Sequence, residues 1–251
     1  MLRKKKQHPL VKKNNIIKIN LSALVFKNIS VQFERKVAKS ISVAADVHQM
    51  PFAKLLFLSE IEKAINDPSV EVSELKLGAF GVTPEIRFYV GKMGAMYGFY
   101  IAPLVNYTIY KTDFQLNYST KTGIFTGNVS TITGGLLLGA PRCSLAKSVT
   151  LDWWIAVPNY GHANSDLNLS TFLPPIEQAE LRNQIEDLKN GAPFDKLIDS
   201  YSVSSTGATT KAKGPWAGLR GLSINIGIHF EATELYNLKY YFVFCNSFSS
   251  F

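Results

Sequence analysis

The sequence predicts an all-β protein: an eight-stranded antiparallel up-and-down transmembrane β-barrel with long loops at one end carrying short helices. Three observations lead there. Apolar residues recur with period two rather than 3.6 in segment after segment, the pattern of strands with one apolar face. The opposite face of those segments is Gly, Ser, Thr, Asn and Ala with isolated charges, not the Lys- and Glu-rich surface that water selects. Short and long connections alternate along most of the chain, as in outer-membrane barrels.

The strands are expected near 16–25, 28–36, 39–49, 75–91, 95–111, 124–140, 145–158 and 215–230. In the first, Ile17, Ile19, Leu21, Ala23 and Val25 oppose Lys18, Asn20 and Ser22. Odd positions stay mainly apolar from Ile17 to Phe33, so one strand bent at Lys27-Asn28 is an alternative to two; the even count of a closed barrel favours two. Ile41, Val43, Ala45 and Val47 oppose Ser40, Ser42, Asp46 and His48, and Phe80, Val82, Ile86, Phe88 and Val90 oppose Gly81, Thr83, Glu85 and Arg87. Tyr97, Phe99, Ile101, Val105 and Tyr107 oppose Gly98, Asn106 and Thr108; Ile132, Leu136 and Leu138 oppose Thr131, Thr133, Gly135 and Gly139. Val149, Leu151, Trp153 and Ile155 oppose Ser148, Thr150 and Asp152. The last segment is the clearest, with Leu222, Ile224, Ile226, Ile228 and Phe230 against Ser223, Asn225, Gly227 and His229.

Links near Val37–Lys39, Lys92–Gly94 and Ser144–Lys147 are tight, whereas those near 50–74, 112–123 and 159–214 are long. Two long links carry helical patterns, Pro51–Asn66 and Pro175–Lys189, the second with Gly191 as its stop. Residues 1–14 read as a basic disordered leader, 15–230 as the barrel and 231–251 as a non-barrel tail lying at the short-turn end.

The chain of 251 residues is 46% hydrophobic, 12% aromatic and 18% charged, too apolar for disorder. No stretch approaches the ~18 apolar residues of a membrane helix. Six of the eight net positive charges sit in the leader (Arg3, Lys4, Lys5, Lys6, Lys12, Lys13), so no basic folded face for nucleic acid is expected. Arg3–Lys6 is not followed by an apolar h-region, which leaves the signal peptide of an exported protein missing from this start.

Alternation does not say which face points inward. A lipocalin-like soluble barrel turns the apolar face in around a ligand; a membrane barrel turns it toward lipid. Small polar residues on the other face fit the crowded interior of eight strands and favour the membrane reading. Tyr89, Tyr107, Tyr110, Trp153, Trp154, Tyr160 and Trp216, near strand ends, are candidates for interfacial girdles.

The run Lys18–Arg35 (KINLSALVFKNISVQFER), together with Gly81–Tyr89 (GVTPEIRFY), Gly98–Pro103 (GFYIAP) and Leu219–Phe230 (LRGLSINIGIHF), resembles an uncharacterised family of bacterial outer-membrane β-barrel proteins. The resemblance covers about residues 15–230 and implies fold and a cell outer-membrane location, but no activity. The chain departs from that family in lacking a signal peptide, at Ala140-Pro-Arg-Cys143, and beyond Phe230.

The inward face collects Lys18, Glu34, Asp46, Glu85, Arg87, Asp152 and His48. Buried charges must be paired, so a lumen network over Glu34, Asp46, Glu85, Arg87 and Asp152 is expected, with Arg87 bridging Glu34, Glu85 or Asp152 and plugging the barrel. His8, His48, His162 and His229 show no metal-ligand spacing, Cys143 and Cys245 provide neither a metal site nor a disulfide framework, and GxSxG is absent. No catalysis, cofactor or metal is expected. The expected role is structural or surface-binding through the long loops, with outer-membrane lipid and the barrel-assembly machinery as partners and no nucleic acid. A soluble or secreted barrel binding an apolar ligand is the alternative; a lipid-modifying enzyme using His48 with a nearby Ser is the third reading.

Overall fold

The computed structural model of the chain describes residues 13–54, 70–118, 121–146, 148–191, 197–220 and 222–231. The expected leader, apart from its last two residues, and the expected tail after Glu231 lie outside these, as does most of the Pro51–Asn66 helical pattern.

The protein is all-β, with ten strands in one antiparallel sheet rather than the eight expected. These are β1 (Asn15–Asn20), β2 (Ile29–Ala38), β3 (Ile41–Lys54), β4 (Val70–Tyr89), β5 (Tyr100–Tyr118), β6 (Lys121–Ala146), β7 (Val149–Ser170), β8 (Ile198–Ser204), β9 (Gly207–Arg220) and β10 (Ser223–Phe230), with helices α1 (Leu21–Val25) and α2 (Pro175–Asn190). The order β10-β1-β2-β3-β4-β5-β6-β7 closes into a ring because β10 also pairs with the first part of β7, Ile224 facing Trp153 and Ile226 facing Leu151. The rest of β7 pairs with β9, and β9 with β8, so the ring continues at the loop end as an open wall.

The differences from expectation have local causes. The first strand stops at Asn20, whose side chain accepts from the Ala23 amide (3.0 Å) and caps α1. Lys27, at φ 56°, then turns the chain back into β2, which separates the two strands. The turn before β5 is longer than expected, running through Gly91, Gly94, Met96 and Gly98, all with positive φ, so Tyr97 and Phe99 precede the strand. Residues 112–118 and 121–123 are not a loop: β5 and β6 pair from Tyr100↔Gly139 out to Tyr118↔Lys121. The expected loop 159–214 is mostly the outer half of β7, α2, β8 and β9, and the expected final strand is divided into β9 and β10. Pro51–Lys54 continue β3 instead of opening a helix.

Burial decides the orientation of the two faces. Ile17, Ile19, Phe33, Val43, Ile86 and Phe88 are exposed outward, while Lys18, Glu34, Ser42, Glu85, Arg87 and Asp152 are buried inward. Around the closed ring the outward rows are apolar, reaching nine residues on β4 (Phe80 to Phe88) and β5 (Ile101 to Ile109) and shorter elsewhere, with only Ile17 and Ile19 on β1. Farther toward the loop end the polarity of the faces exchanges, on β7 through a register irregularity between Trp154 and Ala156 that turns the odd-numbered residues from outward to inward. There His162, Asn164, Asp166 and Asn168 point outward on β7, while Leu167 and Leu169 point inward. Phe114 and Phe125 meet as a tilted ring pair on the same inner face (4.6 Å between centroids), and Ile185 of α2 packs with Leu173, Val203 and Ala208 to cover it. No helix among the described residues is long and apolar enough to cross a membrane.

Candidate functional site

The lumen of the ring holds the charged residues the sequence singles out. Alternation along β2, β4 and β7 puts Gln32 and Glu34, Glu85 and Arg87, and Asp152 on the inner face, and β1 adds Lys18. Arg87 is fully buried and uses its whole guanidinium: Nε donates to Glu85 Oε1 (2.5 Å), Nη1 to Glu34 Oε2 (2.9 Å) and Asp152 Oδ2 (2.8 Å), and Nη2 to Gln32 Oε1 (2.7 Å). Its Cζ also lies 4.4 Å from the centroid of the Tyr100 ring. Lys18 Nζ bridges Glu34 and Asp152, at 2.6 Å to each.

Two cations thus face three carboxylates, and neutral donors solvate the excess negative charge. Ser42 and Tyr89 hydroxyls donate to Glu34 Oε1 (both 2.5 Å), Tyr100 to Asp152 (3.0 Å), and Gln32 Nε2 to Glu85 (3.1 Å). Every carboxylate in the cluster has at least one cation and one neutral donor, the condition under which buried charge is tolerable. Gly227, opposite Lys18, is what makes room for the lysine stem: a Cβ there would sit 2.8 Å from Lys18 Cγ.

Of the five residues expected to form one network, Glu34, Glu85, Arg87 and Asp152 meet, and Arg87 contacts all three carboxylates rather than one. Asp46 is a correction. It sits one layer toward the loop end, where it accepts from Ser30 (2.6 Å) and faces His48 Nδ1 (3.3 Å). Tyr89 and Tyr100 are network members that sequence reading missed. Tyr89 was legible, because it shares the parity of Glu85 and Arg87, but its place at a strand end suggested a girdle. Trp154 is likewise inside, and Tyr110 and Trp216 line the loop-end mouth, whereas Tyr107, Trp153 and Tyr160 are exposed outward as expected.

The short-turn end is closed by the turn between β4 and β5. Ala95 and Met96 fold inward and are buried, with the Ala95 amide donating to the Lys39 carbonyl (2.7 Å), and Tyr97 stacks on His229 (6.2 Å). Ala95 joins Tyr89, Tyr100, Leu104, Leu137 and Trp154 in an apolar cluster that fills the β5–β7 side of the lumen.

No family model, no curated protein and no solved structure matches this chain.

What the lumen can do therefore rests on its own geometry. His48 Nε2 lies 3.3 Å from Thr108 Oγ1, so Asp46, His48 and Thr108 stand in the order acid, base, hydroxyl. Thr108 is fully buried, however, and hydrogen-bonds to Asn106 (3.1 Å), while Ser30 gives its proton to Asp46 and not to His48. Neither hydroxyl is presented to a substrate as a nucleophile. Gly81 permits the contact, since a Cβ there would meet the His48 ring and Thr108 Oγ1 at 2.5 Å. No group of three metal-ligating side chains is found among the described residues.

Proposed function

We propose that the chain is a bacterial outer-membrane β-barrel of the kind its sequence resembles, spanning the bilayer with the eight strands of the closed ring. Its lumen is a sealed structural plug and its working surface is the loop end. The observation that carries this reading is the burial pattern: paired charges inside, and outward apolar rows that reach nine residues on β4 and β5. Nine residues rise about 30 Å and, tilted by ~40°, cover about 23 Å, close to the ~25 Å apolar band of such barrels. Exchange of face polarity at the loop end supports the same boundary, because above the lipid the outer face meets water and the inner face meets α2. A soluble carrier of an apolar ligand needs the reverse burial in its lumen.

The function then resides in what the walls above the membrane hold, with lipid around the ring and no reaction in the lumen. Two measurements test this. The chain, refolded in detergent, should migrate faster on gels unheated than boiled and should insert into lipid vesicles. A monodisperse, folded monomer in detergent-free buffer would overturn the proposal. Planar-bilayer recordings should show no steady conductance through the wild-type barrel.

A further inference from the structure

Above the charge network the lumen opens into a cavity of about 470 Å³ at the loop end, within the size range of small-molecule sites. Its floor carries Ser30, Asp46, His48 and Asn106, and its wall carries Asn159 and the aromatic pair Tyr110 and Trp216, whose ring centroids are 5.9 Å apart. Asn28 and Trp154 complete the lining.

We infer that this mouth is a binding site for a small neutral saccharide. A pyranose ring has an apolar C–H face to lie on Tyr110 or Trp216 and a rim of hydroxyls that both donate and accept, which suits the hydroxyl and amide groups of Ser30, Asn106 and Asn159. Charge points to a neutral ligand. The cavity's carboxylate, Asp46, is already engaged by Ser30 and His48, and the Lys18 and Arg87 cations below are bound to Glu34, Glu85 and Asp152. An aliphatic ligand would cover the Asn106 and Asn159 amides and the Asp46 carboxylate without replacing their water. One or two waters do not fill the space, since each occupies about 30 Å³. The inference concerns the cavity and goes beyond the membrane reading, on which it does not depend.

The test is isothermal titration of the full chain in an amine-oxide detergent, because glucoside and maltoside head groups would compete. Glucose, galactose, N-acetylglucosamine and maltose are the probes, with sodium laurate as the apolar control. At least one saccharide should bind saturably in the micromolar to millimolar range. Trp216→Ala should weaken it at least ten-fold, Trp216→Phe should restore most of the affinity, and the outward Trp153→Phe should leave it unchanged. Saccharide binding that ignores Trp216→Ala, laurate binding that depends on it, or no saturable heat with any saccharide while wild type remains heat-modifiable would each overturn the assignment.

Discussion

Replacing Arg87 by Met keeps an apolar stem of similar reach and removes the guanidinium. Four hydrogen bonds and the contact with Tyr100 disappear, and Glu85 loses both its ion pair and its shortest donor, keeping only Gln32. Glu34 and Asp152 keep Lys18. Removal of one partner of a buried, hydrogen-bonded pair costs about 3–5 kcal/mol, most of it the stranded charge rather than the lost attraction. The stranded charge here is chiefly Glu85. Glu85→Gln should therefore recover much of the loss when combined with Arg87→Met, giving a coupling of about 1–3 kcal/mol between sites in direct contact. Urea unfolding of the vesicle-inserted protein, followed by tryptophan emission, measures all three variants. A cost below about 1 kcal/mol for Arg87→Met, or strict additivity in the double variant, would show that the guanidinium is water-exposed and the inward register of β4 is wrong.

Outward positions should divide at the level where the faces exchange polarity. Ile226→Arg, midway along β10, should destabilise by about 2–4 kcal/mol in vesicles, while Asn164→Arg, on the same outer side but nearer the loop end, should stay within about 0.5 kcal/mol; equal effects would displace the membrane boundary. Gly81→Ala forces the His48 ring off Thr108 and should cost about 1–3 kcal/mol, with a change in the His48 NMR resonances as the local marker; an unperturbed His48 would mean that the ring is not packed against β4. Ile185→Ala should release α2, read as new proteolytic cleavage within 175–190 while heat-modifiable migration persists; loss of that migration would make α2 part of the barrel's stability rather than a cover over its extension.

How much of this was legible in the chain follows from what alternation contains. Period two separates Glu85 and Arg87 from Ile86 and Phe88 without any structure, and the need to pair buried charge already nominates Glu34 and Asp152 as partners. The outer half of β7 was equally written there, as Ala163, Ser165, Leu167 and Leu169 alternating with Asn164, Asp166, Asn168 and Ser170. It reads as a loop because its apolar side is small and sparse over Gly161, Ala163 and Ser165, and the irregularity near Ile155 that turns the odd positions inward has no signal in the sequence.

The sequence by itself determined the β class and which charges share a face with which neighbours along a regular strand, because these depend on residues two apart. Tertiary structure alone decided which face is inward and which charges meet. Asp46 and Glu34 share a parity, but Asp46 belongs to the His48 layer and Glu34 to the Arg87 layer. That difference is set by the stagger of strands as the sheet closes. Tyr100 reaches Asp152 across 52 residues, and Lys18 reaches it across 134. Such contacts arise from closure of the ring between β1, β10 and β7, an event with no local signature in any one strand.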